Sequence, residues 1–136
     1  SFTKNELTTL PSTVTAANYA YKMAKITPQE IDIAEIHDAF SVCELMAVED
    51  LSLTEKNTGA TYGRNLFNTE DRKINPRGGL IGAGHPLGAT GIAQIVEITQ
   101  QLQNKAKNRQ VSNAKRGLTH NMSAAATSST VLVLES

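Results

Sequence analysis

Apolar and polar positions follow one another along this chain with a period that changes several times, and each change marks an element. In "LPSTVTAANYAYKMAKITPQEID", Val14, Ala17, Tyr21 and Ala24 recur at helical spacing. Ser12 or Thr13 before them can serve as an N-cap, so the spacing predicts a helix over about residues 12 to 25. A turn follows at Thr27-Pro28, where Pro28 is well placed to start a short helical turn. Ile31, Ile33, Ala34 and Ile36 then predict a strand near residues 32 to 37 that ends at His37.

From Ala39 the run "AFSVCELMAVEDLSL" is apolar around much of its circumference, which predicts a mostly buried helix. The segment from Ser52 to Asn75 is polar and without strong period, so it reads as a long excursion of the kind that often carries function. Between Ala89 and Lys105, Ile92, Ile95, Val96 and Leu102 fall on one helical face while Gln94, Glu97, Gln101 and Lys105 face elsewhere. That is the pattern of an amphipathic helix. "KRGLTHNMS" and "SSTVLVLES" read as two neighbouring strands with a tight connection. The order of elements predicts an α/β fold, a layered mixed sheet with helices packed on it, whose first strand is either missing or upstream of the opening helix.

Composition narrows the partners. The 136 residues carry 13 basic and 13 acidic side chains, a formal net charge of zero, which removes the electrostatic case for nucleic acid or an anionic membrane. No apolar run has the length of roughly 20 residues that spans a bilayer, and a cytoplasmic location is expected. The single cysteine, Cys43, excludes an intrachain disulfide framework and a multi-cysteine metal site, and no metal is expected. Its place in an apolar helical run reads as structural. The chain begins Ser1-Phe2-Thr3 and is read as one domain, residues 1–136, that forms part of a larger protein.

The densest signal is "GGLIGAGHPLGATG", where six of the nine glycines surround His85. Pro86 biases His85 toward extended backbone, so the imidazole is presented on a loop, either as a general base or as a surface turn residue. A phosphate-loop reading fails, since no Lys-Ser or Lys-Thr follows the last glycine. In "EIHDAF", His37 and Asp38 stand where a strand gives way to a helix, the usual place for ligands in α/β sheets. Asp38 either orients His37 or caps that helix. In "THNMSAAA", His120 and Asn121 close another strand, and a satisfied structural pair is the simpler reading.

Together "NPRGGLIGAGHPLGATG", "HDAF" and the late "HN" resemble the C-terminal half of a thiolase, most like the archaeal acetyl-CoA acetyltransferases and the sterol-carrier-protein type thiolases. The resemblance implies Claisen chemistry on acyl-CoA, with a nucleophilic cysteine in an N-terminal half. It implies that His85 activates that cysteine and donates to the thioester oxygen. His37 would hold a water completing the same oxyanion hole. Gly82, Gly84 and Asn121 would line the path of the CoA thioester, which is a substrate rather than a tightly bound cofactor.

It further implies a partner N-terminal half, on the same or a separate chain, and a homo-oligomer. Two positions depart from the family. Ala39 replaces the cysteine of "HDCF", and "HNMSAAATSS" holds neither the late cysteine nor the "GG" after "HN". Acyl-CoA recognition and thioester polarisation are therefore expected to persist with altered carbon–carbon bond formation. A thiolase-fold retro-aldol lyase and a non-catalytic scaffold are the alternative readings.

Overall fold

A computed structural model describes residues 8–65 and 73–136. Three strands form its sheet in the order β1 (Ile33–Glu35), β2 (Arg116–Met122), β3 (Ser129–Glu135). β1 and β2 run parallel with Ala34 opposite Leu118, and β2 and β3 run antiparallel with His120 opposite Val131. On the outer side of β1 a parallel bridge joins Ala34 to Ile74, through Ala34 N–H to Lys73 C=O at 2.8 Å and Asn75 N–H to Ala34 C=O at 2.8 Å. The mixed sheet with helices on it is the α/β architecture expected, and the final hairpin falls where the pattern predicts it, while the strand after Pro28 is shorter than expected and ends at Glu35, two residues before His37.

The opening helix, α1, spans Pro11–Ala24. Its start differs from expectation: Ser12 and Thr13 lie inside the helix rather than capping it, because Pro11 occupies the first turn, where its missing N–H costs nothing. The main-chain N–H of Leu10 is instead taken by the buried Asp50 carboxylate. α1 ends where Lys25 turns left-handed (φ 57°) and Ile26 N–H closes on Tyr21 C=O at 3.2 Å. Pro28 opens a single helical turn, Pro28–Glu30, with Thr27 and Glu30 forming a reciprocal capping box.

α2 spans Ser41–Asp50 and is less buried than its composition predicts. Ala47 and Val48 enter the core, whereas Phe40 and Val42 at its start are 66% and 58% exposed. Within the polar excursion a helix, α3 (Gly59–Asn65), packs on α2, with Gly59 so close that a Cβ would meet Leu45 O at 2.5 Å. Residues 66–72 of that excursion lie outside the described residues.

Period-two alternation along β2 sorts its side chains to two faces. Leu118 and Met122 join Ala17, Tyr21, Ile36 and Val48 in the larger core, under α1 and α2. Gly117, Thr119 and Asn121 point the other way, toward α5 (Thr90–Leu102). There Ile33, Ile98, Val111 and Ala114 form a smaller core.

α5 reverses the expected orientation. Its buried residues are Thr90, Gln94, Glu97, Ile98 and Gln101, while Ile92 and Val96 are 63% and 48% exposed. The polar face is drawn inward because Gln94, Glu97 and Gln101 each find a hydrogen-bond partner there, although Gln94 Oε1 is buried without one. Gln94 Nε2 donates to His120 C=O at 3.0 Å. Gln101 Nε2 donates to Arg109 C=O at 2.7 Å and its Oε1 accepts Val111 N–H at 2.8 Å. Glu97 pairs with Arg109 at 2.8 Å. Ile98 fills the slot over Gly117, where a Cβ would come 2.3 Å from its Cγ2.

Candidate functional site

β1 delivers His37 to the sheet's edge, two residues past its end and 3% exposed. The Nδ1 atom lies 2.9 Å from Asn121 Oδ1 on β2. An amide oxygen only accepts, so Nδ1 carries the hydrogen and Nε2 is left with a lone pair. Burial pushes the His37 pKa down, and the neighbouring His85 adds to the shift, so the ring is neutral at physiological pH.

The glycine-rich stretch reaches the same place from the other direction. It folds as a short helix, α4 (Gly79–Ala83), entered through Gly78 (φ 104°) and Gly79 (φ 62°) and left through Gly84 (φ 87°). Those three angles are open to glycine and resisted by other residues. Gly82 has no such backbone need, and a Cβ there would meet nothing within 4 Å. Its small size serves no contact within the described residues.

His85 follows Gly84 and is exposed. The Nδ1 atom sits 2.8 Å from Thr90 Oγ1, which also lies 3.1 Å from Pro86 C=O. A threonine hydroxyl has one hydrogen. With that hydrogen on Pro86 C=O, Oγ1 accepts from His85 Nδ1–H, and Nε2 is free to take a proton. The His37 and His85 rings meet edge to face, centroids 5.0 Å apart at 87°. Thus His37, His85 and Asn121 are brought together, while Gly84 directly precedes His85 and Gly82 lies within α4. Beside them a groove of about 480 Å³ opens between α5 and the β2–β3 hairpin, lined by Leu87, Gly91, Ile92, Thr119, Asn121 and Leu132 among others.

Asp38 does neither of the jobs expected of it. It is 3% exposed, and its Oδ1 accepts Leu80 N–H at 2.5 Å, so it caps α4 instead of α2. Glu35, fully buried, accepts Arg77 N–H at 3.2 Å and so ties down the chain just before the glycines. Desolvation raises its pKa to about 7 against the smaller opposing effect of Arg77. Asn75 joins them by accepting Ile36 N–H at 2.7 Å.

Beneath His37, His120 is fully buried and ends a row of hydroxyls. Ser12 Oγ donates to Ala126 C=O at 2.8 Å, so it accepts from Ser129 at 2.8 Å. Ser129 then accepts from Thr13 at 3.0 Å, and Thr13 from His120 Nε2–H at 3.0 Å. One hydrogen per hydroxyl leaves no other direction. His120 Nδ1 therefore holds a lone pair toward the His37 main-chain N–H, 3.5 Å away. Burial lowers the pKa of His120 to about 4 and keeps it neutral.

Cys43 packs half-buried against the larger core, and burial pushes its thiol pKa up, the wrong direction for a nucleophile. The turn after Met122 is closed by Ser123, whose Oγ accepts Thr127 N–H and Ser128 N–H, each at 3.1 Å. Thr90 and the role of Asp38 escape a reading by sequence alone. The five-residue step from His85 to Thr90 over Pro86 is the one signal that could have found the first. Among the described residues no group of three His, Cys, Asp or Glu side chains could hold a metal ion, and no helix is long and apolar enough to cross a membrane.

The profile of the thiolase C-terminal domain-like family matches residues 1–136. An acetyl-CoA acetyltransferase of Methanothermobacter thermautotrophicus is 47% identical over 121 residues, which cover 88% of this chain and 32% of that protein. Human sterol carrier protein 2 is 48% identical over 109 residues, or 79% of this chain and 20% of that one. The chain thus spans a third or less of the curated relatives it matches.

Among solved structures, the Ltp2–ChsH2(DUF35) aldolase superposes with a TM-score of 0.81 over 99% of this chain and 34% of its own, at 18% identity, a likeness of fold. The peroxisomal 3-ketoacyl-CoA thiolase of Saccharomyces cerevisiae, a five-layered structure of two core domains with identical topology, gives 0.54 at 27% identity over 85% of this chain and 26% of its own.

Proposed function

This chain belongs to the thiolase C-terminal domain-like family, and from that membership we propose that it is the C-terminal catalytic part of an acyl-CoA acyltransferase that makes or cleaves 3-ketoacyl-CoA. The observation that carries the reading is His85. Its Nδ1–H is spent on Thr90, its Nε2 is free, and its ring stands against that of His37.

In this reading a cysteine from outside the 136 residues is the nucleophile. His85 Nε2 takes the thiol proton, which frees the thiolate to attack the thioester carbonyl. The same nitrogen, now protonated, donates to the oxygen on which negative charge develops. His37, neutral and with Nε2 bare, accepts from a water whose other hydrogen faces that oxygen. Gly82 and Gly84 leave room for the thioester and its pantetheine arm beside the main chain. Coenzyme A is substrate throughout, and the N-terminal part, in the same chain or a second one, is the necessary partner in a homo-oligomer.

One observation favours a second reading. Ala39 stands beside the site without an ionisable group, so the acid/base that makes an enolate must come from elsewhere or not be needed. Retro-aldol cleavage of an acyl-CoA on the same fold needs no second thiol. The two reactions separate by stoichiometry, since thiolysis consumes free CoA and retro-aldol cleavage does not.

The test is an acetoacetyl-CoA cleavage assay on the whole protein that carries these residues. CoA-dependent cleavage that is lost in His85→Ala supports the acyltransferase. Cleavage of a 3-hydroxyacyl-CoA without CoA uptake supports the lyase. Neither activity, with the protein folded, leaves the scaffold reading.

A further inference from the structure

We infer that Asp38 is a positioning residue that fixes His85 against His37, acting through the peptide of Leu80. The inference rests on the acyltransferase reading for its kinetic consequence and on geometry alone for its structural one. Asp38 follows His37 directly, so anchoring its carboxylate fixes the main chain that carries the His37 ring, whose rotation Asn121 sets. The carboxylate is buried, and Oδ1 accepts Leu80 N–H. The carbonyl of that same residue accepts Gly84 N–H at 2.9 Å, and Gly84 precedes His85. Two hydrogen bonds across one residue therefore join the neighbour of one histidine to the neighbour of the other.

The fit is close on the far side as well. Gly79, buried and at φ 62°, comes so near that a Cβ would lie 2.0 Å from Asp38 Oδ2. Its lack of a side chain is what lets the carboxylate reach Leu80. Thr90 fixes the rotation of the His85 ring and, through Pro86 C=O, the main chain after it, whereas the bond to Leu80 fixes the helix before it. Without Asp38 the first turn of α4 loses its buried acceptor, and a buried N–H left unpaired drives local rearrangement. A displacement of about 1 Å in a group that must meet a nucleophile can lower turnover about a hundredfold.

The experiment uses the whole protein and reads both kinetics of acetoacetyl-CoA thiolysis and crystal structures of the variants. Asp38→Ala is expected to lower kcat about a hundredfold with KM little changed, and to move the His85 ring away from its 5.0 Å separation from His37. Asp38→Asn keeps an acceptor oxygen toward Leu80 but loses the charge, so it is expected to hold the ring geometry and stay within about tenfold of wild type.

An Asp38→Ala protein with wild-type kcat, or with the two rings undisturbed, overturns the inference. So does an Asp38→Asn protein as impaired as the alanine variant. Should Asp38→Ala fail to fold, Gly79→Ala takes its place by pushing the carboxylate off Leu80 from the opposite side. Full activity in that variant also overturns it. If wild type cleaves no acyl-CoA, the acyltransferase reading falls, and the ring positions in the variants decide the role of Asp38 by themselves.

Discussion

The His37 and His85 rings meet edge to face with their centroids 5.0 Å apart, yet the two imidazoles are held by unrelated parts of the chain: His37 by Asn121 on β2, His85 by Thr90 at the start of α5. Each partner takes the Nδ1 hydrogen, so both rings keep a lone pair on Nε2. On the proposed function, His85→Ala is expected to lower kcat/KM by about a hundred- to ten-thousandfold, the range of a lost general base. His37→Asn can still orient a water and should retain more activity than His37→Ala. Steady-state kinetics of the three variants with one acyl-CoA check the order.

Asn121 sets the tautomer of His37. Asn121→Leu removes the acceptor and strands a buried Nδ1–H, at a cost of about 1–3 kcal/mol. Asn121→Asp keeps an acceptor and adds a negative charge, which should raise the depressed pKa of His37. Titration of the His37 ring by NMR distinguishes them, with the aspartate variant moving upward from wild type.

Two buried groups tilt stability in opposite directions with pH. Glu35 has a folded pKa of about 7, raised above its ordinary value of 4.5, so the folded state binds the proton more tightly. Its contribution is present at low pH and is lost as pH rises from about 4.5 to 7, a loss of about 3 kcal/mol. His120 has a folded pKa of about 4, lowered from 6.5, so its contribution is present above 6.5 and is lost as pH falls toward 4. The two slopes nearly cancel in wild type. Glu35→Gln should leave stability rising with pH across this range, and His120→Gln should leave it falling. Urea unfolding at several pH values checks both signs.

Gly117→Ala places a methyl group 2.3 Å from Ile98 Cγ2 and against Ile33, between β2 and α5. Overpacking there is expected to cost about 1–3 kcal/mol. A Gly117→Ala/Ile98→Val pair should recover part of that loss in thermal unfolding, because the shorter side chain vacates part of the contested volume.

Much of this arrangement is written locally. The apolar spacing places α1 and β1, and Gly84-His85-Pro86 predicts the loop-borne, exposed His85 that is found. α5 is where periodicity misleads. Its strongest apolar positions, Ile92 and Val96, lie outside, and its inner face is chosen by Gln94, Glu97 and Gln101 meeting the His120 carbonyl, Arg109 and Val111. Those partners are distant or irregular in sequence, and hydrogen-bond complementarity leaves no period to read. Asp38 is hidden for the same reason, since its acceptor role depends on Leu80, 42 residues away.

The row of hydroxyls from Ser12 to His120 has a polarity, like a line of dominoes fallen one way. Because Ser12 is committed to the Ala126 carbonyl, the protonation pattern of an imidazole beneath His37 is dictated by a turn on the surface. Removing the hydroxyl of Ser12 frees Ser129 and Thr13 to reverse, and His120 could then change tautomer without changing charge. A silent rotation of protons at residue 12 would be felt at the main chain of residue 37, with no side chain in the site altered.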